Sequence, residues 1–437
     1  MTKRFPETAL LLTIGCRLNQ ADSALLTGRL KTNGCKVLSP QSKEQPDLVI
    51  VNSCTVTAKA DSKSRQAARK LRREYPASKI IVTGCGAELV DTDSDRDDDT
   101  VDLWLPNPEK GRIIEHIRNL YDDNVTGIAV RLSEDLATND FFEETTAEYP
   151  FKSRAFLKIQ EGCDNFCSYC IVPHVRGRER SRDRDEVIAE FKKMLESDFH
   201  EIVLAGVNVC AYKSGSTDLS GLLNELTQLP GNFRIRLSST EPHPNNRHLL
   251  EVMAGNPKIC RFMHLSLQHG SNAILRAMNR KYTTAEYLEF VNMARELMPD
   301  IHIGSDIIVG FPGETDADFA EELELVKKIG FANVHLFTYS KRRGTPAAVM
   351  PDQVPSKVAT ERFKKLKKIT DASKLEFIEQ HKGKNLQVIF ERERSGGLIE
   401  GWSDNYLAVA APKGTAELNT IATVTPVRVD ELNRLRV

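Results

Sequence analysis

The chain has no apolar run near the roughly 18 residues that span a bilayer, which argues against a membrane protein. It also has almost no net charge. With 60 Lys and Arg against 61 Asp and Glu the balance is −1, so any nucleic-acid partner must be held by local basic surfaces and not by a global field. Nor is an export leader expected. The opening residues superficially resemble a lipoprotein signal ending at Gly15-Cys16, but Pro6 and Glu7 interrupt it and the apolar stretch 9–14 is at the bottom of the usual range of about 7 to 15 residues. A disulfide framework is not expected either. The nine cysteines are an odd number spread over 437 residues, which reads as reduced thiols that bind metal in a cytoplasmic protein. No internal repeat is found.

What is present is ordinary soluble composition, 40% apolar and 28% charged, in a chain long enough for two or three domains. Up to residue 132 the pattern is α/β: strand-type runs at 10–14, 48–51 and 80–82 alternate with helical stretches at 23–32 and 58–75. Each run ends at or beside a cysteine, Cys16, Cys54 or Cys85. Ligands of open parallel sheets gather beyond the carboxyl ends of the strands, so the three thiols are expected to converge. Residues 91–100 are acidic and loop-like, and 133–150 read as a polar linker. From 151 to 381 six strands are expected, at 155–159, 202–204, 233–237, 263–267, 303–309 and 334–339. The helical patterns between them include 284–297, with Tyr287, Val291, Ala294 and Leu297 on one face. This alternation implies a partial (β/α)6 barrel. After a charged helix at 355–381, short strands at 386–390, 398–402, 406–410 and 421–429 make a small β-barrel module over 382–437.

The strongest motif is Lys158-Ile-Gln-Glu-Gly-Cys-Asp-Asn-Phe-Cys-Ser-Tyr-Cys-Ile-Val-Pro-His174. Its Cys163, Cys167 and Cys170 are spaced C-x3-C-x2-C. Three thiolates bind three irons of a [4Fe-4S] cluster and leave the fourth open to chemistry. A zinc knuckle completed by His174 is the plainer alternative. Cys35, Cys210 and Cys260 match no ligand pattern and read as small buried hydrophobes. Gly206, Glu241, Gln268, Asp306, Gly310 and Tyr339 fall at or just past strand ends, where barrel enzymes place ligands, and together with Tyr169 they are candidates for a cofactor pocket.

The spaced triplet, with an aromatic before its last cysteine and directly after the first of six strands, resembles the radical S-adenosylmethionine superfamily. With Thr13-Ile-Gly-Cys-Arg-Leu-Asn19, Val51-Asn-Ser-Cys-Thr-Val-Thr57, Val82-Thr-Gly-Cys85 and the terminal β-module, the chain resembles the methylthiotransferases over nearly its whole length. Thr55-Val-Thr-Ala-Lys-Ala-Asp-Ser-Lys-Ser-Arg65, Leu237-Ser-Ser-Thr-Glu-Pro-His243 and Ser266-Leu-Gln-His-Gly270 look most like the MtaB-type branch, which acts on N6-threonylcarbamoyladenosine at position 37 of tRNA.

The resemblance implies two [4Fe-4S] clusters, one on Cys163, Cys167 and Cys170 and an auxiliary one on Cys16, Cys54 and Cys85, with S-adenosyl-L-methionine cleaved to a 5′-deoxyadenosyl radical at the former. It implies a TRAM-like RNA-binding module, a tRNA anticodon loop as substrate, a reductant protein such as flavodoxin or ferredoxin, a sulfur donor, and no catalytic residue beyond the cluster ligands. Two basic helices carry Lys59, Lys63, Arg65, Arg69, Lys70, Arg72 and Arg73, and Lys364, Lys365, Lys367 and Lys368. They read as solvated faces, with phosphate contact the second reading. Trp402 and Tyr406 are open to base stacking or to core packing. A ribosomal-protein acceptor, isopentenyladenosine in tRNA, and a non-catalytic RNA-binding metalloprotein are the alternatives.

Overall fold

The apolar run beginning at residue 48 is buried at every position of its strand, Leu48–Ser53, and its side chains alternate between two cores. Leu48 and Ile50 face one cluster while Val49 and Val51 face the other, the period of two that a strand covered on both faces requires. The computed structural model describes residues 5–39, 42–89, 100–122, 153–242 and 247–437. The acidic stretch 91–99 and the expected linker 133–150 lie outside the described residues. Two compact units divide the chain, one of residues 1–150, 160–164 and 170–182, the other of residues 151–159, 165–169 and 183–437.

In the first unit, strands β1 (Thr8–Thr13), β2 (Lys36–Leu38), β3 (Leu48–Ser53), β4 (Lys79–Gly84) and β5 (Leu103–Leu105) form a parallel sheet in the order β2-β1-β3-β4-β5. Helices α1 (Arg17–Thr32) and α3 (Ile113–Tyr121) cover one face through Leu25, Leu26, Ile113 and Ile117, and α2 (Ala58–Glu74) covers the other through Ala68 and Leu71. Helix α1 starts six residues earlier than its expected start at 23, because Cys16 takes the N-cap position in extended backbone.

The second unit opens with β6 (Ala155–Lys158), after which β7 (Gln160–Glu161), α4 (Val172–Arg176) and β8 (Arg180–Ser181) belong to the first. It continues through α5 (Arg184–Glu196), β9 (Glu201–Ala205), the β10–β11 hairpin (Lys213–Ser214, Thr217–Asp218), α6 (Leu219–Thr227), β12 (Arg234–Leu237), β13 (Ser239–Thr240) and α7 (Arg247–Gly255). Then follow β14 (Phe262–Leu265), α8 (Asn272–Ala277), α9 (Thr284–Leu297), β15 (His302–Val309), α10 (Asp316–Ile329), β16 (Asn333–Thr338) and α11 (Ser356–Glu379). Strands β6, β9 and β12 pair in parallel, as do β13, β14, β15 and β16. Only Ser238 separates β12 from β13, so six parallel runs follow one another in chain order. This is the α/β architecture expected, a partial (β/α)6 barrel.

Helix α9 begins with a capping box between Thr283 and Glu286, and buries Tyr287, Val291 and Ala294 as expected. Leu297 does not join them. It is 37% exposed in the last turn, and Phe290 fills the buried face instead. The terminal sheet has six strands where four were expected: β17 (Leu386–Arg394), β18 (Leu398–Ser403), β19 (Ala408–Pro412), β20 (Ile421–Val424), β21 (Arg428–Val429) and β22 (Leu435–Arg436), in the order β20-β17-β18-β19-β22-β21. The run 421–429 divides around Pro426, which has no N–H to give a ladder.

This sheet is fastened to the barrel strands by two buried arginines. Arg234 Nη1 and Nη2 donate to the carbonyls of Gln387 (2.8 Å) and Trp402 (2.9 Å), and Arg236 Nη1 and Nη2 to those of Asp404 (2.8 Å) and Ser403 (3.0 Å). Glu201, fully buried, accepts from both guanidiniums. The Trp402 and Tyr406 rings stack with centroids 4.7 Å apart, and Arg154 lies over both. Of their two possible uses, the structure shows packing against the barrel.

Candidate metal centres and cofactor cleft

Cys16, Cys54 and Cys85 follow the carboxyl ends of β1, β3 and β4, three strands adjacent in the sheet. Two glycines permit the turns. Gly15 has φ +122°, and a Cβ there would sit 2.8 Å from Cβ of Cys54; Gly84 has φ +92°, and a Cβ there would meet the Ser53 carbonyl at 2.4 Å. Side chains lace the strand ends together. Asn19 Nδ2 donates to the carbonyls of Ile14 (2.7 Å) and Ser53 (2.9 Å), while Ser53 Oγ donates to the Thr83 carbonyl at 2.5 Å. Burial pushes the Cys54 thiol up to about 11, and the nearby sulfurs of Cys85 and Cys16 add to the rise. Thiols at three adjacent strand ends release protons once a metal takes the thiolates, a donor set suited to a soft metal or an iron–sulfur cluster.

Sequence reasoning missed the charged group at this site. Arg176, 3% exposed at the end of α4, points Nε at Sγ of Cys85 at 3.2 Å. Its Nη1 donates to Glu161 at 2.7 Å, and its Nη2 to Asn19 at 2.6 Å and Asp22 at 3.1 Å. Burial opposes its charge, but Cys85, Asp22, Glu161 and Cys16 hold its pKa well above the ordinary value. Nothing in a lone arginine after Pro-His-Val announces such burial.

The second triplet lies on a loop divided between the units, Cys163 and Cys170 with the first and Cys167 with the second. Gly162 has φ +71°, and a Cβ would stand 1.9 Å from the Arg178 carbonyl, so only glycine fits before Cys163. His174, the fourth ligand a zinc knuckle would need, is exposed on α4. Cys167 is buried and accepts from Arg280 Nη1 at 3.2 Å. Arg280 also pairs with Glu241 Oε1 at 2.9 Å and donates from Nε to Tyr282 at 3.0 Å.

Glu241, Asn165, Asn208, Cys210, Asn279 and Arg280 are among the residues lining a cleft of about 400 Å³ in the second unit. Of the cofactor-pocket candidates Glu241 is the one that lines it, its other oxygen taken by Asn165 Nδ2 at 2.5 Å. The rest are placed elsewhere in the barrel. Tyr169 and Tyr339 pack around Phe311, and the Tyr339 hydroxyl is buried with no hydrogen-bond partner among the described residues. Gln268 has φ +69° and donates its N–H to the Asp306 carbonyl at 2.9 Å; the Asp306 carboxylate lies 3.1 Å from His264 Nε2. Gly206 N–H donates to Ser238 Oγ at 3.2 Å, and Gly310, φ +76°, is pressed against Ala359. Cys35 and Cys260 are buried and Cys210 half-buried; burial lifts their thiols, to about 11 for Cys35 and about 12 for the other two.

A second polar cluster holds His269, Glu314 and Glu322, all fully buried or nearly so, with ligand atoms within 4.8 Å of one another. It does not suit a metal. The Ser271 N–H donates to His269 Nδ1 at 3.0 Å, so that nitrogen carries a lone pair and the proton sits on Nε2, the atom facing the carboxylates. Nearby carboxylates favour a charged ring, but the donated N–H keeps it neutral. Arg362 already neutralises Glu314, with Nη1 at 3.0 Å.

Residues 157–326 match the Radical SAM superfamily, and residues 8–106 match Uncharacterized protein family UPF0004. The chain is 36% identical to the threonylcarbamoyladenosine tRNA methylthiotransferase MtaB of Chlamydia pneumoniae over 96% of both proteins. It is 34% identical to the MtaB of Bacillus subtilis (strain 168), over 95% of this chain and 92% of that one. It is 35% identical to the tRNA-2-methylthio-N(6)-dimethylallyladenosine synthase of Lachnoclostridium phytofermentans, over 98% and 93%. Among solved structures, the radical S-adenosylmethionine methyltransferase TsrM of Kitasatospora setae shares the fold, with a TM-score of 0.56 at 15% identity over 90% of this chain and 80% of that one.

Proposed function

This chain belongs to the methylthiotransferase family of radical S-adenosylmethionine enzymes, and on that premise we propose that it inserts a methylthio group at C2 of N6-threonylcarbamoyladenosine 37 in tRNA. The observation that carries the reading is the placing of Cys16, Cys54 and Cys85 at three adjacent parallel strand ends, in a chain that also has the C-x3-C-x2-C loop. The adenine C2–H has no acidic proton and no leaving group, so a general base has nothing to do there. When bound, a [4Fe-4S] cluster on Cys163, Cys167 and Cys170 with S-adenosyl-L-methionine supplies a hydrogen-abstracting radical, and a [4Fe-4S] cluster on Cys16, Cys54 and Cys85 supplies the sulfur.

The chain's own residues bind, orient and exclude water. Arg280 and Asn165 fix Glu241 at the cleft, where its carboxylate suits the cofactor's methionyl amine. The unpaired Tyr339 hydroxyl suits a cofactor polar atom. Tyr169, Gly206, Gln268, Asp306 and Gly310, which do not line that cleft, are proposed to meet the cofactor elsewhere in the barrel. The tRNA is gripped by the terminal module over 382–437 and by exposed Lys59, Lys63, Lys70, Lys364 and Lys365. Residues 1–132 form the auxiliary-cluster domain, 133–150 the linker and 151–381 the radical core. A cytoplasmic reductant such as flavodoxin or ferredoxin and a sulfur donor complete the cycle.

Mass analysis of tRNA nucleosides from a deletion strain tests the reading. Loss of 2-methylthio-N6-threonylcarbamoyladenosine is expected, and an unchanged C2-methylthio pattern overturns it. The similarity to a dimethylallyladenosine synthase favours isopentenyladenosine as the second acceptor, in which case its methylthio form disappears instead. Metal analysis separates both from a non-catalytic RNA binder: about eight irons with matching sulfide are expected for the enzyme, and zinc without sulfide for the binder.

A further inference from the structure

Arg176 meets the auxiliary thiol set in a way that fixes both its geometry and its charge. All three guanidinium nitrogens have assigned directions: Nη1 is on Glu161, Nη2 is shared by Asn19 and Asp22, and Nε is on Cys85. The planar fork cannot turn without breaking buried bonds, so the Nε–H is held on the sulfur. Its two carboxylate partners are not wholly its own. Asp22 also holds Lys110 at 2.8 Å, with both side chains buried, and Glu161 lies 3.5 Å from Arg180. Among the described residues Arg176, Lys110 and Arg180 thus share these two carboxylates, and the Arg176 guanidinium is the one of the three whose N–H meets Cys85. The amide of Asn107 stands 4.0 Å from the same sulfur and is anchored to the Val175 carbonyl at 2.7 Å.

Resting on the reading of Cys16, Cys54 and Cys85 as cluster ligands, we infer that Arg176 is the positioning residue that sets the reduction potential of the auxiliary cluster, through a fixed N–H···S bond to Cys85 and the positive charge its guanidinium places beside that sulfur. Hydrogen bonds to a ligand sulfur and a nearby cation both favour the state with the added electron, so the arginine raises the potential. Arg176 lies in the segment just after Cys170, so the loop that carries the radical-site cysteines also supplies the electrostatic control of the other site.

The test uses the full chain with Cys163, Cys167 and Cys170 all changed to Ala, so that only the auxiliary cluster assembles, and follows its reduction by electron paramagnetic resonance. Four irons in this parent confirm the cluster reading, whereas a parent that binds none overturns that reading before Arg176 is touched. Arg176→Gln is expected to weaken the hold on the added electron about tenfold, about 59 mV negative for a one-electron couple. Arg176→Lys, which keeps charge but not the fork, is expected to recover part of the shift. Midpoints equal to the parent in both variants overturn the inference. Should both variants lose iron, double resonance on the parent grown with guanidino-15N arginine decides. A nitrogen coupling at the cluster supports the contact, and its absence overturns it.

Discussion

Nη1 of Arg280 lies 3.2 Å from Sγ of Cys167 and 2.9 Å from Oε1 of Glu241, joining a cysteine of the C-x3-C-x2-C loop to an acid at the cleft. One guanidinium thus holds a proposed cluster ligand and a proposed cofactor ligand in register. Arg280→Gln keeps a donor but loses the fork. A supporting residue of this kind is worth about 10- to 100-fold in metal affinity or activity. The variant should form 5′-deoxyadenosine more slowly by about that factor while retaining iron on Cys16, Cys54 and Cys85; wild-type rates count against the role.

The two cysteine sets should separate by activity. Cys163→Ala is expected to abolish both cofactor cleavage and methylthiolated product, since the first depends on that loop. Cys16→Ala should leave reductive cleavage intact and abolish only the product. Chromatography of 5′-deoxyadenosine beside nucleoside mass spectrometry reads both, and methylthiolated tRNA from Cys16→Ala contradicts the division of roles.

Glu201 stabilises the chain in a pH-dependent way. Burial alone would raise its pKa, but Arg236 and Arg234 more than offset this and hold it well below the ordinary 4.5. A depressed carboxylate contributes stability that is present above its unfolded pKa, so this contribution is lost as pH falls below about 4.5. Glu201→Gln strands two buried guanidiniums and should cost about 3–5 kcal/mol. Denaturation followed at pH 7 and pH 4 checks both, with the gap between wild type and variant narrowing in acid.

Glu322 has the opposite sign. Burial raises its pKa from 4.5 to about 8, Glu314 adds to the rise, and Arg362 opposes it. Asp318 faces His269 in the same cluster. Below pH 4.5 folded and unfolded chains are both protonated there. As pH climbs from 4.5 to 8 the folded chain keeps a proton the unfolded one has released, and this contribution to stability is lost. Glu322→Gln, which mimics the neutral acid, should flatten thermal stability across that window; an unchanged slope would place the pH dependence elsewhere.

The barrel was legible because short continuous apolar runs such as Ile202-Val203-Leu204 are wholly buried, and the placing of three cysteines at strand ends was legible in the same pattern. β2 and β5 escaped notice because three residues carry too little pattern to count. Arg176 and Arg280 escaped for a different reason. An arginine is ordinarily a surface residue, and only tertiary placement next to a thiol, two carboxylates and an amide makes burial tolerable. Trp402 and Tyr406 show the same limit. Aromatics in a module expected to bind RNA suit base stacking, yet Arg154 and Arg236 from the barrel lie over the Tyr406 ring.

Four backbone carbonyls of the terminal sheet are spoken for by Arg234 and Arg236. Cutting the chain after α11 would therefore remove more than a terminal appendage. It would leave the buried Arg234 and Arg236 guanidiniums on β12 without the four carbonyls they donate to, with Glu201 as their remaining acceptor, so the shortened protein should aggregate or unfold. Exchanging this module between relatives would succeed only where the recipient barrel carries the same two arginines.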